Sequence, residues 1–247
     1  MKRIIIVGAT SAMAEHCARL WVAAGPVALT LIGRDAGRTE RVAADLRVRS
    51  PGSVIDVIES DFLDVEKIEA TVGRAVGQKA ADIVLIAHGS LPDQTECENS
   101  LVACRDALEV NGLSPVLFAE AFAQHLARAG RGTLVLIGSV AGDRGRRSNY
   151  IYGAAKGLVA RYAQGLQHRF ASSGVKIVLV KPGPTDTPMT AHLKQKGAKM
   201  PSVESVAANI VAATARGSAT AYVPGKWRII MTVIRLMPNA IFNKINI

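Results

Sequence analysis

Aromatic residues are scarce in this sequence: phenylalanine, tryptophan and tyrosine make up only 4% of its 247 residues. Hydrophobic residues as a whole make up 49%, so the core must consist mainly of alanine, valine, isoleucine and leucine. Aliphatic cores of this kind are typical of parallel strands covered by helices. The length suits one large α/β domain rather than two.

Cysteine is also rare. Cys17, Cys97 and Cys104 form no C-x-x-C pair and have no histidine at metal-ligand spacing. We therefore expect reduced thiols, as in a cytoplasmic protein, and no metal site. The apolar run from Ile4 to Val7 is too short for a signal peptide, and no later run is long enough to cross a bilayer. The predicted location is cytoplasmic, and peripheral contact with the inner face of the membrane stays open.

The net charge of +10 raises the question of nucleic-acid binding. The basic residues are spread along the chain, however, without zinc-finger spacing, a basic zipper or a basic tract interleaved with aromatics. An anionic substrate or a membrane surface is therefore the favoured partner, and no nucleic acid is expected.

Strand-like and helix-like segments alternate through the first half of the chain. The first strand is predicted at Ile4 to Val7, the second at Val27 to Ile32 and the fourth at Ile83 to Ala87, with amphipathic segments between them. This alternation predicts a doubly wound parallel sheet of the Rossmann type in a single domain, residues 1–225. Residues 226–247 are predicted to form an apolar and basic helical tail.

The segment after the first strand is typical of a phosphate-binding turn. Gly8 to Ala14 consists of small residues that lead into a helix, whose first N–H groups and positive dipole end favour a phosphate. The second strand ends in Gly33-Arg34-Asp35, where a dinucleotide meets its adenosine ribose. An arginine there accommodates a 2′-phosphate, so Arg34 favours NADP, while Asp35 leaves NAD open.

The stretch from Ser139 to Lys156 contains the groups best suited to chemistry. Tyr152 and Lys156 are four residues apart on a predicted helix and share one face. A free tyrosine titrates near pH ~10, and a neighbouring cation favours its phenolate form. Ser139 ends an apolar strand and can hold a carbonyl oxygen beside the phenol. Together they predict proton transfer to or from an oxygen atom.

Two further segments contribute polar groups. Asn111 interrupts an apolar helical pattern, so it bends the helix, projects into a site, or is buried with its hydrogen bonds satisfied. The turn from Lys181 to Pro188 follows the sixth predicted strand and brings hydroxyls to the carboxyl edge of the sheet, where ligands bind in such folds.

These motifs, in this order, resemble the short-chain dehydrogenase/reductase family of the classical type over nearly the whole chain. The resemblance implies an NAD(P)-dependent oxidoreductase acting on CH–OH groups. In it Tyr152 exchanges the proton and Ser139 steadies the substrate oxygen. Lys156 holds the nicotinamide ribose and lowers the pKa of Tyr152, while Asn111 keeps a water in the proton relay. The residues it assigns to the cofactor are Gly8, Thr10, Ser11, Ala12, Met13, Arg34, Asp61, Phe62, Ala87, His88, Gly89, Tyr152, Lys156, Pro182, Gly183, Thr185 and Thr187.

The chain departs from the family pattern in two places. Ala12 and Ala14 stand where the phosphate-binding turn usually has glycines, and Ala87-His88-Gly89 replaces the usual Asn-Ala-Gly. His88 either contacts the cofactor or substrate or has a structural role at the strand end. Neither change removes a catalytic group, so a functional cofactor site is expected.

Within the family, the chain is most similar to bacterial reductases resembling decaprenylphosphoryl-2-keto-ribose reductase, through residues 87–94, 140–146 and the tail from Trp227. The implied substrate is a polyprenyl-phosphoryl 2-keto-pentose. The alternatives are a 3-oxoacyl thioester, another lipid ketone or a hydroxysteroid. A non-catalytic NADP-sensing or scaffold protein is a further alternative, although the complete catalytic set argues against it.

The tail from Trp227 to Met237 has a wide apolar face and a polar face of Arg228, Thr232 and Arg235. Such a helix suits a membrane interface, or it packs on a second subunit or closes the substrate pocket. The family resemblance implies a homo-oligomer. The basic loop of Arg144, Arg146 and Arg147 has two interpretations, a phosphate-binding site or a solvated turn.

Overall fold

The structure, a computed structural model, describes residues 1–191 and 199–245. In this part of the chain seven parallel strands form one sheet in the order β3-β2-β1-β4-β5-β6-β7, which confirms the predicted doubly wound fold. The strands are β1 Lys2–Val7, β2 Val27–Gly33, β3 Val54–Glu59, β4 Ile83–Ile86, β5 Arg131–Ile137, β6 Gly174–Pro182 and β7 Thr220–Val223. Residues 192–198 of the predicted domain and 246–247 of the predicted tail lie outside the described residues.

Helices cover both faces of the sheet. The helices are α1 Ala12–Ala23, α2 Ala36–Arg49, α3 Val65–Val76, α4 Gln94–Asn99, α5 Leu101–Leu108, α6 Ser114–Ala129, α7 Tyr150–Arg169, α8 Val203–Arg216, α9 Lys226–Leu236 and α10 Asn239–Phe242. A π-helical segment, Glu109–Leu113, joins α5 to α6, where the sequence predicts one continuous helix. Short 3-10 turns lie at Val140–Asp143 and Pro188–Thr190.

The core lies in two layers, one on each face of the sheet. Ile4 and Ile6 of β1 face α1, α2 and α8, whereas Ile5 and Val7 face α3, α6 and α7. Successive side chains of a strand point to opposite faces, so a strand covered on both sides reads as an uninterrupted apolar run. The run of β1 therefore reflects its central position, between β2 and β4.

The turn Val140–Asp143 packs tightly against α7. A Cβ added to Gly142 would lie 2.6 Å from the backbone carbonyl carbon of Lys156, and one added to Gly153 would lie 3.0 Å from the carbonyl oxygen of Ala141. The two backbones approach closely because both positions lack a side chain. This contact fixes Ser139, at the start of the turn, relative to α7.

A buried ionic cluster ties the same turn to the sheet. Asp143 forms an ion pair with Lys181 of β6, and the side chains of both residues are buried. The Tyr222 hydroxyl of β7 donates a hydrogen bond to Asp143 Oδ2 at 2.7 Å, and burial together with Asp143 raises the pKa of Tyr222 to about 12. Breaking a buried pair of this kind by removing one partner strands the other charge away from water.

The predicted tail is docked on the domain through both of its ends. The Arg144 guanidinium donates to the carbonyl oxygens of Ile234 and Met237 and stacks 3.8 Å from the ring centroid of Phe242. Arg144 thus binds the carbonyl end of a helix, which favours cations, and fits neither interpretation of the basic loop. At the other end the Trp227 indole covers Gly183, where an added Cβ would overlap the ring at 1.9 Å.

None of the described helices combines the length and the hydropathy needed to cross a membrane. The tail helix α9 is amphipathic, with Met231 fully buried against the domain and Ile229 and Leu236 more than 70% exposed. Its predicted apolar face therefore has a small packed part and a larger exposed part.

The tight packing at Gly142 predicts that Gly142→Ala destabilises the protein by about 1–3 kcal/mol, because backbone atoms must move to admit the methyl group. Gly145→Ala is the matched control, since nothing described lies within 4 Å of its added Cβ. Urea unfolding of both variants measures the difference. Equal free energies of unfolding would contradict the close contact between the turn and α7.

Candidate active site

A cavity of about 1240 Å³ opens at the carboxyl edge of the sheet, where open α/β folds bind ligands. It brings together residues that are far apart in the sequence. The predicted site residues that line it are Gly8, Thr10, Ser11, Ala12, Met13, Arg34, Phe62, Ala87, His88, Gly89, Asn111, Ser139, Tyr152, Lys156, Pro182, Gly183, Thr185 and Thr187.

Asp61 is the exception among the predicted cofactor residues. It borders a smaller neighbouring cavity with Arg34, and its carboxylate accepts a hydrogen bond from the Leu63 backbone at 2.9 Å. Phe62, the next residue, lines the main cavity instead. The Asp61 carboxylate thus stabilises the turn after β3, and its contact with the cofactor stays a prediction.

The turn after β1 has the geometry of a phosphate cradle. Gly8 has a φ of +80°, and an added Cβ would lie 2.6 Å from the backbone nitrogen of His88. Ser11 makes no side-chain capping bond to α1, so its hydroxyl is not used to cover the first N–H groups of that helix. Exposed N–H groups at a helix start bind phosphate oxygens. The alanines at positions 12 and 14 leave this arrangement intact.

The end of β2 carries an uneven charge. Arg34, Asp35 and Arg38 all line the cavity. Asp35 Oδ1 accepts a hydrogen bond from the Arg38 backbone at 2.8 Å and so caps α2. Of these three residues only Asp35 is acidic, and one of its carboxylate oxygens is already used to cap α2. The other two residues, Arg34 and Arg38, each carry a guanidinium group.

His88 is neutral and only partly satisfied. Its Nε2 lies 2.9 Å from Ser114 Oγ, and its ring packs edge-on against Phe62 and Phe118. Burial, then the charges of Lys156 and Arg34, lowers the pKa of His88 to about 3. Its Nδ1 is buried without a partner in the described part of the chain. An orphaned polar atom in the wall, beside a cradle kept open by Gly8, fits an incoming dinucleotide.

Asn111 lies in the π-helical segment and is fully buried. Its Oδ1 accepts from the Ser90 backbone at 2.8 Å and its Nδ2 donates to the Ala107 carbonyl at 2.9 Å. A Cβ added to Gly89 would lie 2.9 Å from Asn111 Oδ1 and 3.5 Å from Lys156 Nζ. Asn111 therefore interrupts the helix and is satisfied, and Gly89 leaves room for it beside Lys156. Insertions of this type are frequent at functional sites.

Lys156 is almost fully buried beneath Tyr152. Its Nζ donates to the Ile137 carbonyl at 3.2 Å and lies 5.8 Å from the centroid of the Tyr152 ring. Burial lowers the pKa of Lys156 to about 8. The predicted approach of the two side chains on one helix face is thus present.

The pKa of Tyr152 differs from the expectation. Burial raises it, and a hydrogen-bonding interaction with Ser139 partly opposes the rise. The expected lowering of the Tyr152 pKa by Lys156 is therefore not found, and burial of the phenol sets the direction of the shift.

The sequence did not identify two of the residues that line the cavity. Arg146 belongs to the basic loop but lines the cavity, unlike Arg144 and Arg147. Asn149 also lines it, just before α7. The sequence left Arg146 between two interpretations and contains no distinguishing signal for Asn149, because asparagine before a helix ordinarily serves as a cap.

The buried Lys156 predicts a pH dependence of stability. Its pKa is about 8 in the folded protein against an ordinary 10.5, so between these values the unfolded chain binds more protons and stability rises with pH. Below pH 8 the contribution is constant. We compare the cofactor-free wild type with Lys156→Met. As the pH rises from 8 to 10.5, the free energy of unfolding of the wild type should increase relative to that of the variant. Lys176→Met, at an exposed lysine of β6, is the control. Parallel curves for the wild type and Lys156→Met would refute the burial of a charged amine.

The chain matches known proteins over most of its length. The family model described as short chain dehydrogenase matches residues 2–198. An uncharacterized oxidoreductase of Streptomyces coelicolor is 30% identical over 244 residues, which cover 99% of this chain and 96% of the relative. The cis-4-hydroxycyclohexanecarboxylate dehydrogenase of Sinomonas cyclohexanicum is 29% identical over 191 residues, 76% of this chain and 75% of that one.

Solved structures share the fold. A short-chain dehydrogenase from Sphingobium yanoikuyae, in complex with NADPH, superposes with a TM-score of 0.82 at 22% sequence identity and covers 100% of this chain and 97% of its own. The family model spans most of the chain, and the cavity unites the serine, tyrosine and lysine on which the resemblance rests. The chain therefore belongs to the short-chain dehydrogenase family and is an NAD(P)-dependent oxidoreductase that acts on alcohol and ketone groups.

Proposed function

We propose that this protein uses NADPH to reduce the ketone of a lipid-linked, anionic substrate, and that this substrate is a polyprenyl-phosphoryl 2-keto-pentose. The observation that carries the reductase proposal is that Ser139, Tyr152 and Lys156 line one cavity with the Gly8 turn. The alternative substrate class is a 3-oxoacyl thioester or another lipid ketone, including a steroid.

The chemistry requires one hydride and one proton for each ketone. Bound NADPH would supply the hydride to the carbonyl carbon. Tyr152 donates its phenolic proton to the carbonyl oxygen, which becomes the alcohol hydroxyl, and Ser139 holds that oxygen in place. Lys156 lies beneath the phenol and its ammonium stabilises the charge left on Tyr152 until a solvent proton replaces the one given up. In the reverse direction Tyr152 accepts the proton of an alcohol.

The charges near the end of β2 support NADPH over NADH. Arg34 and Arg38 flank the position expected for the adenosine ribose, and Asp35 is engaged at the start of α2. Guanidinium groups bind phosphate strongly, so a 2′-phosphate would be favoured there. NADH remains usable because Asp35 still presents its second carboxylate oxygen.

Two features support an anionic substrate. Arg146 brings a cation into the same cavity as Tyr152. The Sinomonas relative is named for a ring that carries both a hydroxyl and a carboxylate. A polyprenyl-phosphoryl 2-keto-pentose likewise joins a ring ketone to an anionic group, and its prenyl chain would need an apolar surface near the cavity.

The exposed part of the tail helix supplies such a surface. Ile229, Val233 and Leu236 follow one another at helical spacing on α9 and are at least 57% exposed. Arg228 and Arg235 flank them, as suits a helix lying on an anionic membrane. We propose that residues 226–247 contact the inner face of the membrane peripherally, with a cytoplasmic domain. Because Trp227 covers Gly183, this contact would hold the cavity near the lipid.

A second apolar surface supports a homo-oligomer. Leu101 and Val102 of α5 are 89% and 60% exposed, and Leu158 of α7 is 47% exposed. The helices α5 and α7 pack against each other, and exposed apolar side chains on adjoining helices are typical of subunit interfaces. Sedimentation velocity with and without anionic vesicles tests both contacts: a monomer that ignores the vesicles would contradict them.

The reaction is tested by NADPH oxidation with a synthetic short-chain prenyl-phosphoryl 2-keto-ribose, run beside an acetoacetyl thioester. We expect faster turnover of the keto-sugar and a loss of about 10²–10⁴-fold in Tyr152→Phe, because the variant lacks the donated proton. NADPH binding should persist, measured by its fluorescence.

Tyr150→Phe, two residues earlier and outside the cavity, is the control for that variant. Near-normal activity of Tyr152→Phe would refute the proton-donor role. Faster turnover of the thioester would replace the keto-sugar with the alternative substrate. Turnover of neither, with NADPH bound, would contradict both of these substrates and direct the search to other lipid ketones.

Cofactor choice is tested by Arg34→Ala. We expect the Kd for NADPH to rise roughly tenfold or more, since a charge-assisted bond to the 2′-phosphate is lost, and the Kd for NADH to change little. Arg41→Ala, an exposed arginine of α2, removes the same charge nearby as a control. Equal losses for both cofactors would contradict the role of Arg34.

A further inference from the structure

We propose that Arg146 and Asn149 form a substrate subsite beside Tyr152, in which Arg146 binds an oxyanion of the substrate and Asn149 accepts a hydrogen bond from a neighbouring hydroxyl. This inference rests on the proposed ketone reduction and names the residues that would recognise its substrate.

Arg146 carries an unmet hydrogen-bonding demand. It lines the cavity, and its Nε is buried without a partner in the described part of the chain. Burial also lowers the pKa of Arg146, which reflects the cost of keeping a guanidinium away from water. A buried donor without an acceptor costs free energy, so an oxyanion that enters here gains a charge-assisted bond and relieves that cost.

The carboxylates near Arg146 are already engaged. Asp143, three residues before it, pairs with Lys181 and accepts the Tyr222 hydroxyl. Asp143 does not line the cavity; the three carboxylates that do line it each interact elsewhere. Glu15 pairs with Arg19, Asp35 caps α2 and Asp93 caps α4. The cavity therefore has a half-buried guanidinium, with a buried Nε, for which the described residues supply no salt-bridge partner.

Asn149 lines the same cavity and gives independent support for the subsite. It occupies the N-cap position of α7, where an asparagine side chain normally accepts a hydrogen bond from the first turn. Here it makes no such bond, and its Oδ1 is buried without a partner in the described residues. The Asn149 backbone N–H donates to the Arg146 carbonyl at 3.1 Å, so one tight turn holds these two residues, three apart in the sequence, at the same cavity.

The pair specifies a ligand with two features. A guanidinium selects a carboxylate or a phosphate, and an amide oxygen needs a donor such as a hydroxyl. Tyr152 follows Asn149 by three residues on the first turn of α7 and lines the same cavity. The subsite thus fits a ketone that bears an oxyanion and a hydroxyl within a few bonds of the reacting carbon. A keto-sugar phosphate and a cyclic keto acid both have the oxyanion.

The kinetic test compares charged and neutral versions of one ketone. The pairs are 4-oxocyclohexanecarboxylate with its methyl ester, and the prenyl-phosphoryl keto-ribose with its phosphate-free form. In Arg146→Gln we expect kcat/KM to fall roughly 10- to 100-fold for the anionic member, mainly through KM, and to stay within about twofold for the neutral one. Asn149→Asp should act in the same direction, because its carboxylate would neutralise Arg146.

Arg128→Gln is the matched control. It removes the same charge from an exposed position in the last turn of α6, next to the start of β5 and therefore at the opposite edge of the sheet. Equal losses for the anionic and neutral ketones in Arg146→Gln, or the same selective loss in Arg128→Gln, would overturn the subsite.

A binding measurement keeps the inference separate from turnover. Cyclohexanecarboxylate and phenyl phosphate are titrated calorimetrically into the complex with NADP⁺, and the affinity for NADP⁺ is measured by itself. We expect at least one probe to bind the wild type and to bind Arg146→Gln at least roughly tenfold more weakly. The probe that binds better identifies carboxylate or phosphate as the anion.

The outcomes distinguish the two proposals. Anion binding that depends on Arg146, without reduction of any ketone, would support the subsite and refute the proposed function. Ketone reduction that does not depend on the charge of the substrate would overturn the subsite and the anionic substrate, and would support only the reduction of a ketone. Binding of neither probe to the wild type, or a loss of NADP⁺ affinity in Arg146→Gln, would overturn the subsite.

Discussion

The contact between the turn Val140–Asp143 and α7 sets the geometry of the active site. Gly142 meets the Lys156 backbone with no room for a side chain, and Asp143 is held from the other side by the sheet. Ser139 begins the turn and Tyr152 lies in the first turn of α7, so their spacing depends on backbone packing rather than on flexible side chains. Rigid supports of this kind keep reacting groups within the narrow range that proton transfer needs.

Burial dominates the electrostatics of the cavity. It lowers the pKa of Lys156 to about 8 and that of His88 to about 3, and it raises the pKa of Tyr152. Each shift favours the uncharged form, as expected where water is excluded. For Tyr152 this is compatible with reduction, because a proton donor to a ketone must hold its proton until the substrate binds. The sequence suggested a lowered pKa since it shows the neighbouring cation but not the depth of burial.

Local patterns predicted the parts of the fold that depend on local physics. Aliphatic runs located the central strands β1, β2 and β4 to within two residues of the bounds that the structure has. The motifs and their order identified residues that, apart from Asp61, all line one cavity. The features that the sequence did not predict depend on contacts between distant parts of the chain or on one extra residue within a helical turn. The π-helical segment around Asn111 has the composition of an ordinary helix, and the partners of Arg144 lie about ninety residues away in the tail. Asp61 and Phe62 are adjacent in the sequence, and only the structure shows that Phe62 lines the main cavity while Asp61 borders the smaller one.

The position of Trp227 gives the protein an internal optical reporter. Only two tryptophans occur in the chain, and they lie in different surroundings. Trp21 belongs to α1 and is packed in the core, whereas the Trp227 indole rests on Gly183 in the cavity wall. Indole emission overlaps the absorption of reduced nicotinamides. Energy transfer from Trp227 would therefore report the binding of a reduced nicotinamide in this cavity without any added label. The same indole belongs to the tail, and its emission therefore also registers whether the tail is seated.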